Sequence, residues 1–149
     1  MPVTDEQVAW LRAYLAGHPE EAQSLRARAT APDGAAGLGA LVHAAFVIAA
    51  RRKFGRSWTR AEVTQFVAQV RRLLTERPEA LDPGVAGYEL RRALGDKPAG
   101  HPDAHSSGRV QFILLNALVH SLDLKDADVA AVINQAREVA GTLLGSRTV

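Results

Sequence analysis

The sequence predicts an all-α fold, a compact bundle of five to six helices that forms a single domain over residues 1–149. Two long segments are apolar on almost every side, and the remaining segments repeat apolar residues at helical spacing. A chain of this length can bury a sizeable core without disulfides. We therefore expect two central apolar helices covered by amphipathic ones.

The first helix is predicted to begin at Thr4, because Thr4 and Gln7 have the spacing of a capping box. The Gly17-His18-Pro19 sequence ends this helix, and Pro19 suits the first turn of a second, short helix. The apolar stripe of the first helix consists of Val8, Leu11 and Leu15, with Trp10 and Tyr14 stacked beside it.

The two apolar segments run from about Ala35 to Phe54 and from about Arg109 to Leu122. Their apolar residues point in every direction around the helix, which is typical of a helix inside a bundle. The segment 34–50 is long enough to be mistaken for a membrane span, but much of it is Ala and Gly, so we interpret it as a buried core helix. We expect no association with a membrane.

Together with the first helix, three further amphipathic helices are predicted to cover the apolar pair. Thr59 and Glu62 form the capping box of one, and Asp82-Pro83 begins the next, with Val85, Tyr88, Ala93 and Leu94 toward the core. The third runs from about Asp126 to Leu144. The stretch 96–108, rich in Pro, Gly, Ser and His, is predicted to be a loop.

A weak internal repeat links two of these regions. Residues around Val63 match residues around Val129 at an offset of 66, including Gln69 with Gln135 and Arg71 with Arg137. Each region then consists of an apolar helix, a short turn and an amphipathic helix. This pattern favours a pseudo-repeat of helical hairpins, although two unrelated amphipathic helices also match in part.

Composition indicates a reducing compartment. The chain has no cysteine, which excludes disulfides and thiolate metal sites, and its N-terminus lacks the features of a signal peptide. We therefore expect a cytoplasmic protein.

No motif for catalysis or cofactor binding is present. The sequence lacks Gly-x-Ser-x-Gly, Walker A and a dinucleotide-binding glycine pattern, so we predict no catalytic residues, no cofactor and no enzymatic activity. His101, Asp103 and His105 are the only cluster of metal-ligand types, but their spacing matches no metal motif. We predict a solvated loop there and no metal site.

Positive charge is concentrated in one segment. Residues 51–77 contain eight Lys or Arg against two Asp or Glu, although the whole chain has a formal net charge of only +2. Five of these cations surround a joint that resembles a helix–turn–helix: Arg51, Arg52, Lys53, Arg56 and Arg60. The register opposes a true helix–turn–helix, because the expected apolar positions of its second helix are Ala61 and Thr64. A nucleic-acid-binding regulator is the first alternative function.

Three polar residues on the apolar helices suggest a second alternative. His43 and His120 each end an Ala-Leu-Val-His string, and Asn116 lies one turn before His120. Together these residues predict a polar pocket in a bundle that binds a small ligand. The competing interpretation is that each histidine is hydrogen-bonded in the core or at its edge.

The function favoured by the sequence is a non-enzymatic interaction or regulatory module. Exposed parts of the amphipathic faces, or Trp10 and Tyr14, can form an interface. The expected partner is another protein or a second copy of this chain, with nucleic acid as the alternative.

Overall fold

A computed structural model describes residues 3–74, 81–100 and 104–147, with only the backbone at 104–105 and 143–147. These residues form seven α-helices and no strand, which confirms the all-α prediction. The helices are α1 Asp5–Leu15, α2 Pro19–Ala29, α3 Ala35–Phe54, α4 Arg60–Leu73, α5 Pro83–Ala93, α6 Ala104–Ser121 and α7 Asp126–Arg147. The number of described helices is larger than the five or six expected. The second helix, predicted to be short, has 11 residues, the same length as α1.

The chain divides into two compact units. The first unit consists of Met1–Ala45 and Leu122–Val149, and therefore contains α1, α2, the first half of α3 and α7. The second unit, Phe46–Ser121, contains the rest of α3 together with α4, α5 and α6.

In the first unit, Gln7 connects three segments. Its backbone N–H donates to Thr4 Oγ1 at 3.1 Å and its Oε1 accepts from the Thr4 N–H at 3.0 Å, so the predicted capping box is confirmed. Its Nε2 donates to the carbonyl oxygen of Gly34 at 2.7 Å and lies 3.4 Å from that of Ala29. The Gln7 side chain is buried, so one residue both caps α1 and joins it to the turn before α3.

Side chains of α7 and α1 also meet in the first unit. Arg137 forms an ion pair with Asp5 at 2.8 Å and donates to the Val3 carbonyl oxygen at 3.2 Å. At the other end of α7, Asp126 accepts a hydrogen bond from His18 Nε2 at 3.0 Å when the imidazole is protonated there.

The apolar helix α3 has an exposed stripe, whereas the sequence predicted that this helix is buried on every side. Ala36, Gly39 and His43 are exposed, whereas Leu41, Ala45 and Phe46 are fully buried. Ala36 and Gly39 are small and His43 is polar, so the stripe presents little apolar area to water and needs no covering helix. The segment Pro32–Phe54 is also long and apolar enough to cross a membrane by length and composition, and 44% of its most apolar window is buried.

In the second unit, α3 ends at a left-handed glycine. Gly55 has φ +68° and its N–H donates to the Arg51 carbonyl oxygen at 3.0 Å, which is the usual way for glycine to close a helix. The turn leads to Thr59, whose hydroxyl accepts from the Glu62 N–H at 3.2 Å and donates to the Glu62 carboxylate at 3.1 Å. The predicted capping box is therefore only half formed, since Glu62 bonds the Thr59 hydroxyl rather than its N–H.

The buried face of α5 differs from the predicted one. Asp82 caps the helix through the N–H groups of Gly84 and Val85, as expected. The buried residues, however, are Ala86, Glu89, Leu90 and Ala93. Of the four residues predicted to face the core only Ala93 is buried, and Val85, Tyr88 and Leu94 are half-buried.

Helix α6 begins at Ala104, five residues before its predicted start. The residues Ser106, Ser107 and Gly108, predicted as loop, are helical. Ser107 Oγ donates to Glu89 Oε1 at 2.6 Å, so a partner on α5 holds this first turn in place.

Candidate functional site

The five cations predicted to bind nucleic acid lie together in the second unit. We call Arg51, Arg52, Lys53, Arg56 and Arg60 the basic collar. All five residues are exposed, three in the last turn of α3, one in the turn after it and one at the start of α4. Lys53 Nζ lies 5.8 Å from the centre of the Phe66 ring, which positions its charge over an aromatic face.

The structure brings the end of α5 to the basic collar. Arg51 Nε donates to the Ala93 carbonyl oxygen at 3.0 Å, and thereby bonds an acceptor in the last turn of α5. That end of α5 contributes three further cations, which the sequence did not place here: Arg91, Arg92 and Lys97. The basic surface is thus assembled from two segments about 40 residues apart in sequence, a separation typical of tertiary rather than local structure.

One carboxylate accompanies these cations. Asp96 accepts from Arg91 through both Nε (2.9 Å) and Nη2 (2.7 Å). The side-chain hydrogen bond from Arg91 is the main reason that the pKa of Asp96 lies below its usual value of 3.8. A hydrogen bond from the Lys97 N–H lowers the pKa further, burial opposes this shift, and the charges of Arg91 and Arg60 add the smallest effects. Asp96 therefore stays ionised and neutralises Arg91, but it makes no ion pair with the collar.

Helix electrostatics explain part of the collar. Cations in the last turn of α3 are stabilised by the negative end of the helix dipole. Arg60 is the first residue of α4, where a cation faces the positive end and is locally unfavourable. Arg56 lies in the turn between the two helices, two residues after the end of α3. The position of Arg60 therefore has no explanation in helix stability.

An open cleft of about 460 Å³ lies at the collar. It is lined by Arg51, Gly55, Arg56, Trp58 and Leu94. Its volume is within the range of sites for small organic ligands, roughly 300–1,000 Å³. Two guanidinium groups beside one indole ring form a lining suited to a planar anionic group.

The residues of the predicted polar pocket do not form a buried cluster. His43 and His120 are both exposed, and they belong to different units. Asn116 is half-buried, and its Nδ2 donates to the Phe112 carbonyl oxygen of its own helix at 2.9 Å. The sequence predicted for these histidines either a polar pocket or a hydrogen-bonded position in the core or at its edge, and both lie on exposed helix faces.

Metal binding gains no support from the described part of the chain. His101 and Asp103 lie outside the described residues, as does the side chain of His105. Among the residues whose placement is described, no group of three His, Cys, Asp or Glu residues is arranged to hold a metal ion.

A second cleft, of about 250 Å³, lies in the first unit. Its polar lining residues are Arg12, His18, Glu21 and Asp126, and three alanines complete it. His18 and Asp126 already bond each other, and the remaining two side chains have opposite charges. This cleft therefore selects neither an anion nor a cation.

Sequence reasoning missed one buried polar cluster in the second unit. Glu89 is 3% exposed, and its two carboxylate oxygens accept from Ser107 Oγ at 2.6 Å and Gln111 Nε2 at 3.0 Å. The available signal was the Ala86-Leu90-Ala93 spacing, which places residue 89 on the apolar face. The cluster links α5 to α6. Its two hydrogen bonds offset the free-energy cost of burying the carboxylate.

Few large apolar side chains are exposed in the described residues. They are Tyr14, Leu73 and Val139. Trp10, which was expected to share an interface with Tyr14, is 8% exposed, although its ring lies 5.7 Å from that of Tyr14. Tyr14 alone therefore offers much less apolar surface than the predicted aromatic pair.

The chain matches no protein-family model, and no curated protein or solved structure is significantly similar to it.

Proposed function

We propose that this chain is a non-enzymatic binding module that holds nucleic acid by its phosphate backbone, with the basic collar as its recognition surface. One observation carries the proposal: Arg60 is exposed at the positive end of α4, where a cation does not stabilise the helix, and Arg56 is exposed in the turn beside it. A residue that destabilises the helix to which it belongs is expected mainly at functional sites.

The charge distribution supports the same proposal. The second unit contains twelve Lys or Arg and seven Asp or Glu, a formal net charge of +5. The first unit has six and nine, which gives −3. A surface of one sign attracts a polyanion over several ångströms and speeds its association.

The register of α4 favours contacts with the backbone over insertion of a helix into a groove. In a helix–turn–helix the second helix packs on the first through small or apolar residues. The matching positions here, Ala61 and Thr64, are both exposed. Binding through phosphates needs only that the guanidinium groups reach the nucleic acid, so it does not depend on that packing.

The proposal is tested by reversing charges on the collar. Arg52→Glu/Arg56→Glu changes two exposed cations that form no hydrogen bond or ion pair within the described residues, so the fold should tolerate the change. At low salt we expect the affinity for fluorescein-labelled single-stranded and duplex DNA, measured by anisotropy, to fall roughly tenfold or more.

The matched control is Arg26→Glu/Arg28→Glu, which makes the same change in net charge on exposed residues in the last turn of α2. This control should bind within about twofold of wild type if the collar is the site. Equal losses in the two variants would reduce the effect to net charge and contradict the collar as the site.

We also keep the broader proposal of a cytoplasmic interaction module that associates with a protein partner or with itself. Its support is the exposed Tyr14, Leu73 and Val139, each of which leaves apolar area in water. Sedimentation equilibrium tests self-association, and a mass that stays monomeric over a wide concentration range would contradict it.

We propose further that the α3–α4 and α6–α7 hairpins arose by duplication in one bundle with two central apolar helices. The amphipathic helices begin at Arg60 and Asp126, an offset of 66. At the same offset the buried residues correspond: Val63 with Val129, Phe66 with Val132, Val67 with Ile133, and Val70 with Ala136. A sequence profile of one hairpin should detect the other in related chains, and its failure to do so would contradict duplication.

A further inference from the structure

We infer that the cleft at the basic collar holds one unpaired base of a single-stranded nucleic acid, stacked on Trp58, with the adjoining phosphates on Arg51 and Arg56. This inference rests on the proposed function and specifies its substrate. The cleft combines the Trp58 ring with cationic walls from Arg51 and Arg56.

The lining divides into apolar and cationic parts. Trp58 and Leu94 supply apolar surface, and Arg51 and Arg56 supply charge. A nucleotide has the same division, since its base is planar with a π face and its phosphate is anionic. The cleft, of about 460 Å³, is large enough for one such unit.

Backbone geometry brings these residues together. The left-handed Gly55 turns the chain sharply after α3, and Trp58 lies immediately before the Thr59 cap of α4. A Cβ at position 55 would meet no atom within 4 Å, so this glycine is needed for its φ angle rather than for space. Arg56 and Trp58 therefore lie in a short connection, residues 55–59, held between the ends of two helices rather than on a long loop.

The donors in the cleft remain available. Arg56 has no hydrogen bond or ion pair within the described part of the chain. Arg51 uses Nε for the Ala93 carbonyl oxygen, which fixes the guanidinium plane and leaves the Nη groups to donate. A guanidinium held in this way can bind a phosphate with less loss of side-chain entropy than a freely rotating one.

A duplex and an acidic peptide fit this lining less well. The bases of a duplex are already paired and stacked, so a base must be extruded at a cost before it reaches Trp58. An acidic peptide supplies anions for the arginines but needs no indole beside them. Single strands offer both groups at once, and proteins that bind them combine a cationic groove with stacking aromatic rings.

The direct test uses tryptophan fluorescence. The chain has two tryptophans and two tyrosines, and Trp10 is buried in the first unit. Trp10→Phe, excited at the red edge where tyrosine does not absorb, leaves Trp58 as the only emitter. Titration of this variant with oligo(dT) should quench its emission, and titration with heparin, a polyanion without bases, should not. Equal quenching by both polyanions, or by neither, would overturn the inference.

The second test compares three proteins that differ at position 58. Trp58→Leu should weaken oligo(dT) binding by roughly 5- to 150-fold, the range that loss of one stacked base produces, and Trp58→Phe should lose less. Binding of heparin should change by less than about twofold in both variants, because stacking makes no contribution to it. Circular dichroism establishes that each variant is folded.

The outcomes separate the inference from the proposed function. If wild type binds heparin and duplex DNA but Trp58→Leu does not weaken oligo(dT) binding, the inference fails while the collar stands. If no nucleic acid binds at low salt, the proposed function fails and the inference with it. If poly-glutamate displaces oligo(dT) at equal charge concentration, the partner is an acidic protein and the inference is overturned.

Discussion

Arg51 Nε donates to the carbonyl oxygen of Ala93 at 3.0 Å, so the last turns of α3 and α5 are joined by one guanidinium. Both helix ends carry the negative end of a dipole, and the cation reduces their mutual repulsion. Arg51 therefore has a structural role, whereas Arg52, one residue along, has no bond within the described residues. The two neighbours provide a matched pair for mutation.

Arg51→Lys tests this structural role. Lysine keeps the charge but lacks the Nε donor, so we expect the free energy of unfolding to fall by about 0.5–1.5 kcal/mol. Arg52→Lys should leave it unchanged within about 0.5 kcal/mol. Urea denaturation followed by circular dichroism measures both, and equal effects would contradict the assignment of the 3.0 Å hydrogen bond.

A side chain at position 34 is expected to destabilise the fold. A Cβ there would lie 2.8 Å from Gln7 Nε2, so Gly34→Ala must displace the amide from its hydrogen bond and should destabilise the fold by about 1–3 kcal/mol. Gly39→Ala is the control, since its Cβ meets nothing and alanine favours the exposed interior of α3 by about 0.5–1 kcal/mol. Urea midpoints that move in the same direction for both variants would contradict the predicted contact between a Cβ at position 34 and Gln7.

The Glu89 cluster should respond differently to two substitutions. Glu89→Ala leaves the Ser107 and Gln111 donors without their acceptor and should cost about 2–4 kcal/mol. Glu89→Gln keeps one acceptor, and its amide can donate to the serine hydroxyl, so it should cost less than about 1.5 kcal/mol. Glu138→Ala, on the exposed face of α7, should change stability by no more than about 0.5 kcal/mol. Thermal unfolding compares the three variants, and equal losses would show that the cluster contributes nothing specific.

Asp96 should make stability depend on pH on the acid side. Its folded pKa is depressed, so its contribution is complete above the unfolded value near 3.8 and is lost as the pH falls through the lower folded value. Asp96→Asn should therefore be less stable than wild type at neutral pH and equal to it at strongly acidic pH. Arg91→Gln removes the same hydrogen bond and should reduce the acid dependence in a similar way. Urea midpoints measured across this range would contradict the assignment if the difference between wild type and Asp96→Asn stayed constant.

Much of the fold could be predicted from local signals. The caps at Thr4 and Asp82 and the start of α7 at Asp126 follow from residue types with known backbone preferences. The early start of α6 did not follow, because Ser107 is held by a carboxylate 18 residues away. Sequence periodicity also could not reveal the exposed His43, since it does not show which side of an apolar helix remains uncovered.

The candidate site was predictable only in part. The Arg51–Arg60 segment is visible as a run of charge, and its exposure agrees with that pattern. The contribution of Arg91, Arg92 and Lys97 depends on the contact between Arg51 and Ala93, which no local pattern encodes. The cleft likewise needs Leu94, from α5, to complete a lining that begins at Arg51.

The most direct test of the collar is the salt dependence of oligo(dT) binding, measured by anisotropy for wild type and for Arg56→Gln/Arg60→Gln. Each phosphate neutralised on a single strand contributes about −0.7 to the slope of log K against log salt, so the variant should lose about 1.4 units of slope. Identical slopes, or binding that does not depend on salt, would contradict the proposal that Arg56 and Arg60 contact the phosphates.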